Sequence, residues 1–128
     1  MSVHTGLAVS TDGVHFQWKG DILSPSEQGW DCYAARIASV LYVPPFFTAF
    51  YDGSASVAQN YEERTGLAMG TDLRHLERVT VDGPILVSAN APGTLRYIDA
   101  LPFRDEIYYY EYVRADGSHE LRLNRVRW

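Results

Sequence analysis

Cysteine is almost absent from this sequence: Cys32 stands alone among 128 residues, which excludes an internal disulfide and any cysteine-rich metal site. A single thiol fits a reducing compartment. Long apolar runs are also missing, and no stretch approaches the roughly 20 residues needed to span a bilayer. The opening Met-Ser-Val-His-Thr has neither a charged leader nor an apolar segment, so no signal peptide is expected and the cytoplasm is the expected location. Basic residues are in the minority. The 11 Lys and Arg against 16 Asp and Glu leave a net charge of −5, which argues against nucleic acid or an anionic membrane as partner. His-x-His pairs, Cys-x-x-Cys pairs and calcium-binding loops are missing, so no metal is expected. There is no Gly-x-Ser-x-Gly elbow and no phosphate-cradling glycine loop, so nucleotide cofactors and serine-hydrolase chemistry are not expected either.

Aromatic residues, by contrast, are abundant, with nine Tyr, five Phe and three Trp in a chain that is 46% apolar. Such a composition folds rather than remaining disordered, and the length suits one domain. Carboxylates and aromatic rings together suit a neutral, hydroxyl-rich ligand such as a carbohydrate. Short segments rich in β-branched and aromatic residues follow one another closely: residues 6–10, 14–18, 34–42, 46–51, 64–69, 76–81, 95–101, 107–113 and 120–126 read as strands. Turn sequences separate them, among them Thr11-Asp12-Gly13, Pro44-Pro45, Asp52-Gly53, Asp82-Gly83-Pro84, Pro92-Gly93 and Ala115-Asp116-Gly117. The one stretch with helical potential, residues 54–63, is short and polar and reads as a loop. The expected class is all-β.

An internal repeat narrows this further. Residues 6–16, GLAVSTDGVHF, align with residues 66–76, GLAMGTDLRHL, at an offset of 60 residues. Gly20-Asp21-Ile22-Leu23 then echoes Gly83-Pro84-Ile85-Leu86. A period of this size with several strands per unit matches propeller blades better than a sandwich. In both copies the aspartate, Asp12 or Asp72, can bond backbone N–H groups of its own turn, and His15 and His75 occupy equivalent positions, so all four read as structural.

The segments GLAVSTDGVHF, TGLAMGTDLRHLERV and GPIL resemble the outer-hairpin signature of the five-bladed propeller glycosidases, the arabinanase, xylosidase and invertase-like families. Trp30-Asp31 and Phe50-Tyr51-Asp52-Gly53 are similar to the inner strands of such a blade, as are LRYIDAL and YYYEYVRADGSHELRLNRV. The resemblance implies a partial β-propeller of two to two-and-a-half four-stranded blades: residues 1–23 as the outer strands of a first, 24–86 as a complete second, and 87–128 as the inner strands of a third. An open arc exposes strand edges and apolar flanks. A homo-oligomer, dimer or trimer, is the expected remedy, with the last blade of one copy pairing with the first strands of another.

Glycoside hydrolysis needs a carboxylic acid and a second carboxylate facing a common site, and propellers place such groups on innermost strands. By resemblance Asp31 matches the family's acidic residue at a blade entrance, and a strand-start cap is its structural alternative. Arg36, in an otherwise apolar strand, requires a partner: a ligand at the axis or a salt bridge. Tyr33 lies on the same segment. Alternation places Tyr97 and Asp99 on one face and Arg96 on the other, unless a bulge intervenes. Glu111, a lone carboxylate among Tyr108, Tyr109, Tyr110 and Tyr112, is the best general-acid candidate, with a surface pair to Arg114 or Arg122 as the bland alternative. Glu62 and Glu63 stand in a loop that can overhang the pocket. The catalytic candidates are therefore Asp31, Asp99 and Glu111, with Tyr33, Arg36, Arg96, Tyr97 and Glu62 as substrate contacts. A glycosidase, a binding module that no longer turns its sugar over, and a purely structural remnant all remain open.

Overall fold

The computed structural model describes residues 2–127. It is all-β, with nine strands in three antiparallel sheets. The first sheet pairs β1 (Thr5–Val9) with β2 (Gln17–Leu23). The second orders β3 (Ala34–Val43), β4 (Phe46–Ser54), β5 (Arg64–Gly70) and β6 (Glu77–Arg78) side by side. The third contains β7 (Leu95–Phe103), β8 (Asp105–Val113) and β9 (His119–Val126). Sequential strands are spatial neighbours throughout, so each sheet is a meander of blade type. Stacked in chain order, the three make an open propeller-like arc. Among the described residues no helix is long and apolar enough to cross a membrane.

All nine expected strands are present, and the largest displacement is in the second. Residues 14–16 were expected to begin it, but Asp12 holds them in a turn. Its Oδ1 accepts from the N–H groups of Val14 and His15, both at 2.8 Å, and its Oδ2 lies 2.7 Å from His15 Nδ1. Those bonds, the His15 side chain first, hold the Asp12 carboxyl far below the ordinary aspartate value. Asp72 repeats the device: its Oδ1 accepts from Arg74 N–H at 2.9 Å and its Oδ2 faces His75 Nδ1 at 3.4 Å. The repeat is thus a repeated turn, held by a side chain that mimics a backbone acceptor. The expected loop over 54–63 contains a single 3-10 turn, Val57–Gln59.

Strand register decides what each sheet face presents. Ile37, Tyr51 and Gly66 stand opposite one another, as do Ala49 and Ala68, on one face of the central sheet. That face forms the main core. Leu23 of β2 packs there with Ala35, Ala49, Tyr51 and Ala68, flanked by Trp30, Ile37 and Leu76. The alanines let the sheets approach closely. Gly66 lets the Tyr51 ring lie on the strand itself, since a Cβ there would stand 2.3 Å from the ring. The opposite face carries Arg36, Asp52 and Thr65 in one row, with Phe50 in the next, and it meets the third sheet. Phe50 there makes an edge contact with Tyr108 at 5.7 Å.

Candidate functional site

The charged groups gather where β3 and β7, the innermost strands of two adjacent sheets, come together. Each of these strands carries a one-residue bulge. The β3 register shifts between Ile37 and Ser39, and the β7 register between Arg96 and Asp99. Without the first bulge, the pairing that begins at Val43–Phe46 would bring Gly53 opposite Arg36; with it, Asp52 stands there. Without the second, Tyr112 would oppose Arg96; with it, Glu111 does. In both strands the extra residue re-aims an arginine onto a carboxylate, a use of bulges frequent beside functional sites.

Arg36 Nη2 donates to Asp52 Oδ2 at 3.1 Å and lies 3.9 Å from Glu63 Oε1. Arg96 Nη1 donates to Glu63 Oε2 at 2.5 Å, while its Nη2 and Nε reach Glu111 Oε1 at 3.0 and 3.2 Å. His119 Nδ1 contacts the same Glu111 oxygen. Three carboxylates are thus threaded on two guanidinium groups. Asp52, Glu63 and Arg96 are buried, while Arg36 and His119 reach solvent. Burial pushes the Asp52 carboxyl above its ordinary value, despite the opposing pull of Tyr97 N–H and Arg36.

Two tyrosines complete the cluster, both in the left-handed backbone region: Tyr61 with φ of 72° and Tyr97 with φ of 58°. Such a conformation costs a bulky residue about 1–3 kcal/mol and persists only where its surroundings enforce it. For Tyr97 the enforcing contact is explicit, because its N–H donates to Asp52 Oδ1 at 3.0 Å. Its ring stands 4.4 Å from the Arg96 guanidinium carbon and 5.0 Å from that of Arg36. Tyr61 also faces Arg96, at 5.6 Å. Beside them Tyr97, Glu111, His119, Glu120 and Leu121 line a pocket of about 310 Å³.

Of the residues singled out from sequence, the structure brings together Arg36, Arg96, Tyr97 and Glu111. It places Asp31 elsewhere. That residue is fully buried on the other face of the central sheet, where its Oδ2 accepts from Tyr51 Oη at 2.8 Å and Arg78 Nε at 2.7 Å. Asp99 is exposed on β7 with no ion pair among the described residues, Tyr33 contributes none of the cluster's contacts, and Glu62 stands beside it without entering. Alternation along β7 is broken by the bulge, which is how Arg96 and Tyr97 serve one site.

Asp52, His119 and Tyr61 were not among those candidates, and Glu63 was weighed beside Glu62 without being chosen as a contact. For Asp52 a signal existed: an arginine in an apolar strand calls for a carboxylate on the next strand. His119 lies eight positions from Glu111 and only the β8–β9 hairpin joins them. Among the described residues no group of His, Cys, Asp and Glu could hold a metal ion. No protein-family model matches the chain, and neither a curated protein nor a solved structure matches it. The likeness to propeller glycosidases therefore rests on the sequence motifs alone.

A pH measurement tests the Asp52 environment. A carboxyl raised by burial contributes stability below its ordinary value of 3.8 and loses it as pH rises through the folded-state value. The Asp52→Asn variant is therefore expected to be at least as stable as the parent at neutral pH. Its advantage should shrink as the medium is acidified, read by urea unfolding at a series of pH values. An advantage that grows on acidification would contradict the direction of the shift.

Proposed function

We propose that this chain binds a neutral carbohydrate at the junction of β3 and β7 and does not hydrolyse it. The observation that carries this reading is the paired bulge: both inner strands spend a register shift to set an arginine against a carboxylate around one half-exposed tyrosine. Planar guanidinium and carboxylate groups fixed by one another offer directed donors and acceptors to hydroxyl groups. An aromatic ring beside them offers an apolar surface to the C–H face of a sugar ring. The adjoining pocket, about 310 Å³, stands at the lower end of small-ligand sites. The motif resemblance to propeller glycosidases supports the same ligand class.

Hydrolysis is the weaker reading because every carboxylate of the cluster is already paired with a guanidinium group. Both oxygens of Asp52 already accept hydrogen bonds, from Tyr97 N–H and Arg36, and Glu63 and Glu111 are each held by Arg96. What favours hydrolysis is the raised Asp52 carboxyl, so the same experiment includes it.

Saturation-transfer NMR and calorimetry against arabinosides, xylosides, fructosides and mannosides test the proposal. At least one class is expected to bind at millimolar affinity or better. Tyr97→Asn, which tolerates the left-handed backbone, is expected to weaken that binding at least about tenfold, the loss of roughly 1.4 kcal/mol of contact. Equal affinity in the variant, or no binding by any class, would refute it. Turnover of the matching aryl glycoside that disappears in Asp52→Asn would replace binding with hydrolysis.

A further inference from the structure

We propose that two copies of this chain associate head to tail into a closed ring of six sheets, the outer face of β7–β9 in each copy packing on the outer face of β1–β2 in the other. Within one copy the same face-to-face contact already occurs twice. The first sheet lies on the central sheet through Leu23, and the central sheet lies on the third through Phe50 and Tyr108. The two end faces continue that stacking but are open in the single chain.

Register identifies them. On the third sheet, Tyr108, Tyr110, Asn124 and Val126 line the space shared with Phe50 and Leu86 of the central sheet. The opposite face pairs Glu111 with Leu121, Tyr109 with Asp99 and Leu123, and Ile107 with Leu101 and Arg125; it leaves Leu101, Leu121 and Leu123 at 42%, 76% and 52% exposure, with Asp99 and Arg125 exposed among them. On the first sheet, Thr5 and Leu23 face the centre while Gly6, Ala8, Trp18 and Asp21 face outward, the Trp18 ring lying across Gly6 at 64% exposure and Asp21 paired with His4. Phe16, immediately before β2, is also exposed, at 63%.

Edge-to-edge pairing into a composite blade, the expectation from sequence, fits less well. The segment leading into β1 is already engaged: Val3 exchanges backbone hydrogen bonds with Tyr33, just before β3, and with Ala35 of β3, and Ile37 N–H donates to Thr5 Oγ1 at 2.8 Å. Face-to-face closure leaves those bonds intact.

Size argues for two copies. Exposed aromatic side chains offer on the order of 100–150 Å² each and the leucines less, so one contact covers roughly 500 Å² of apolar surface. The two equivalent contacts of a closed dimer then reach about 1,000 Å², where specific interfaces begin. Two copies give six sheets, within the four to eight blades typical of closed propellers, and three copies would exceed it. A two-fold ring, in which the same pair of faces meets twice about the axis, also ends the stacking, which an open head-to-tail chain of copies would not. The pocket at Tyr97, Glu111 and His119 shares Leu121 with this face, so on the carbohydrate reading above, Trp18 of the partner subunit becomes its second wall.

The test is sedimentation velocity over a concentration series, with circular dichroism and saturation-transfer NMR on each sample. The parent is expected to plateau at twice 14.4 kDa. Leu121→Glu and Trp18→Glu, both at exposed positions, are each expected to be folded monomers. Mixed together they should associate, but more weakly than the parent, because one contact of about 500 Å² is intact while the other sets two glutamates against each other. A monomeric parent, a trimer, a mass that rises without limit, or a Trp18→Glu variant that remains dimeric would each overturn the proposal. Sugar binding by a monomeric parent would overturn the ring alone; a dimer that binds no sugar would overturn the carbohydrate reading alone.

Discussion

Replacing Arg96 with methionine is expected to cost about 3–5 kcal/mol of folding stability, the usual price of stranding a buried charge. Arg96 and Glu63 are each only 7% exposed at their side chains, and the bond between them is short. Methionine fills the volume but leaves Glu63 with Arg36 alone, at 3.9 Å. Glu111 keeps His119 and reaches solvent, so most of the loss arises at Glu63. For a domain of this size the change corresponds to a fall in melting temperature on the order of 10–20 °C. The loss should be largely recovered by adding Glu63→Gln, because an apolar and a neutral polar group no longer leave a charge uncompensated. A double-mutant cycle in urea measures that coupling. Arg96→Lys is expected to recover only part of the parent's stability, since an ammonium cannot span Glu63 and Glu111 as a planar fork does. A loss below about 1 kcal/mol in Arg96→Met would mean that Glu63 is hydrated and the cluster is an ordinary surface network.

Arg96 also links stability to the site. Both left-handed tyrosines face its guanidinium, and Tyr97 is held in place by Asp52 besides. The cluster can enforce two strained residues because it is over-determined: each carboxylate has a cation, and each cation faces an aromatic ring. Sugar binding and thermal stability should therefore fall together in Arg96→Met but separate in Tyr97→Asn, which leaves every ion pair intact.

The strands were legible because their signals are local. Runs such as Tyr108 to Val113 and turns such as Ala115-Asp116-Gly117 specify a hairpin within a few residues, and β8 and β9 formed nearly where expected. Residues 14–16 misled because their β-branched and aromatic composition favours a strand, while the Asp12 carboxylate outcompetes the ladder for their N–H groups. The site was only half legible. Arg36 and Arg96 stood out as charges in apolar segments, but their partners depend on two bulges that shift register by one residue, and neither Ala38 nor Ile98 announces a bulge. Glu62 and Glu63 are alike in sequence. Only the path of the loop into β5 makes Glu63 the buried one.

The Asp31→Ala variant is expected to lose about 3–5 kcal/mol as well, and its pattern separates structure from chemistry. Asp31 is 1% exposed at its side chain, and its Oδ2 accepts from both Tyr51 Oη and Arg78 Nε. Arg78 continues to the Ser24 carbonyl at 2.6 Å, tying β6 to the segment after β2. Burial pushes the Tyr51 hydroxyl up to about 12, so it stays protonated and able to donate across the whole working pH range. Alanine at 31 leaves a largely buried guanidinium and that hydroxyl without their shared acceptor, beneath the stacked Trp30 and Tyr51 rings. Asp31→Asn keeps an acceptor but loses the charge, and about 1–3 kcal/mol is expected for it. The motif resemblance assigns this aspartate to an active site, whereas its contacts tie the first and central sheets together on the face opposite Asp52. If the contacts decide, both variants should bind ligand with parental affinity at temperatures where they remain folded. If the resemblance decides, Asp31→Asn should leave the melting temperature unchanged and abolish function at the site. Melting curves and ligand titration on the same two proteins distinguish these outcomes.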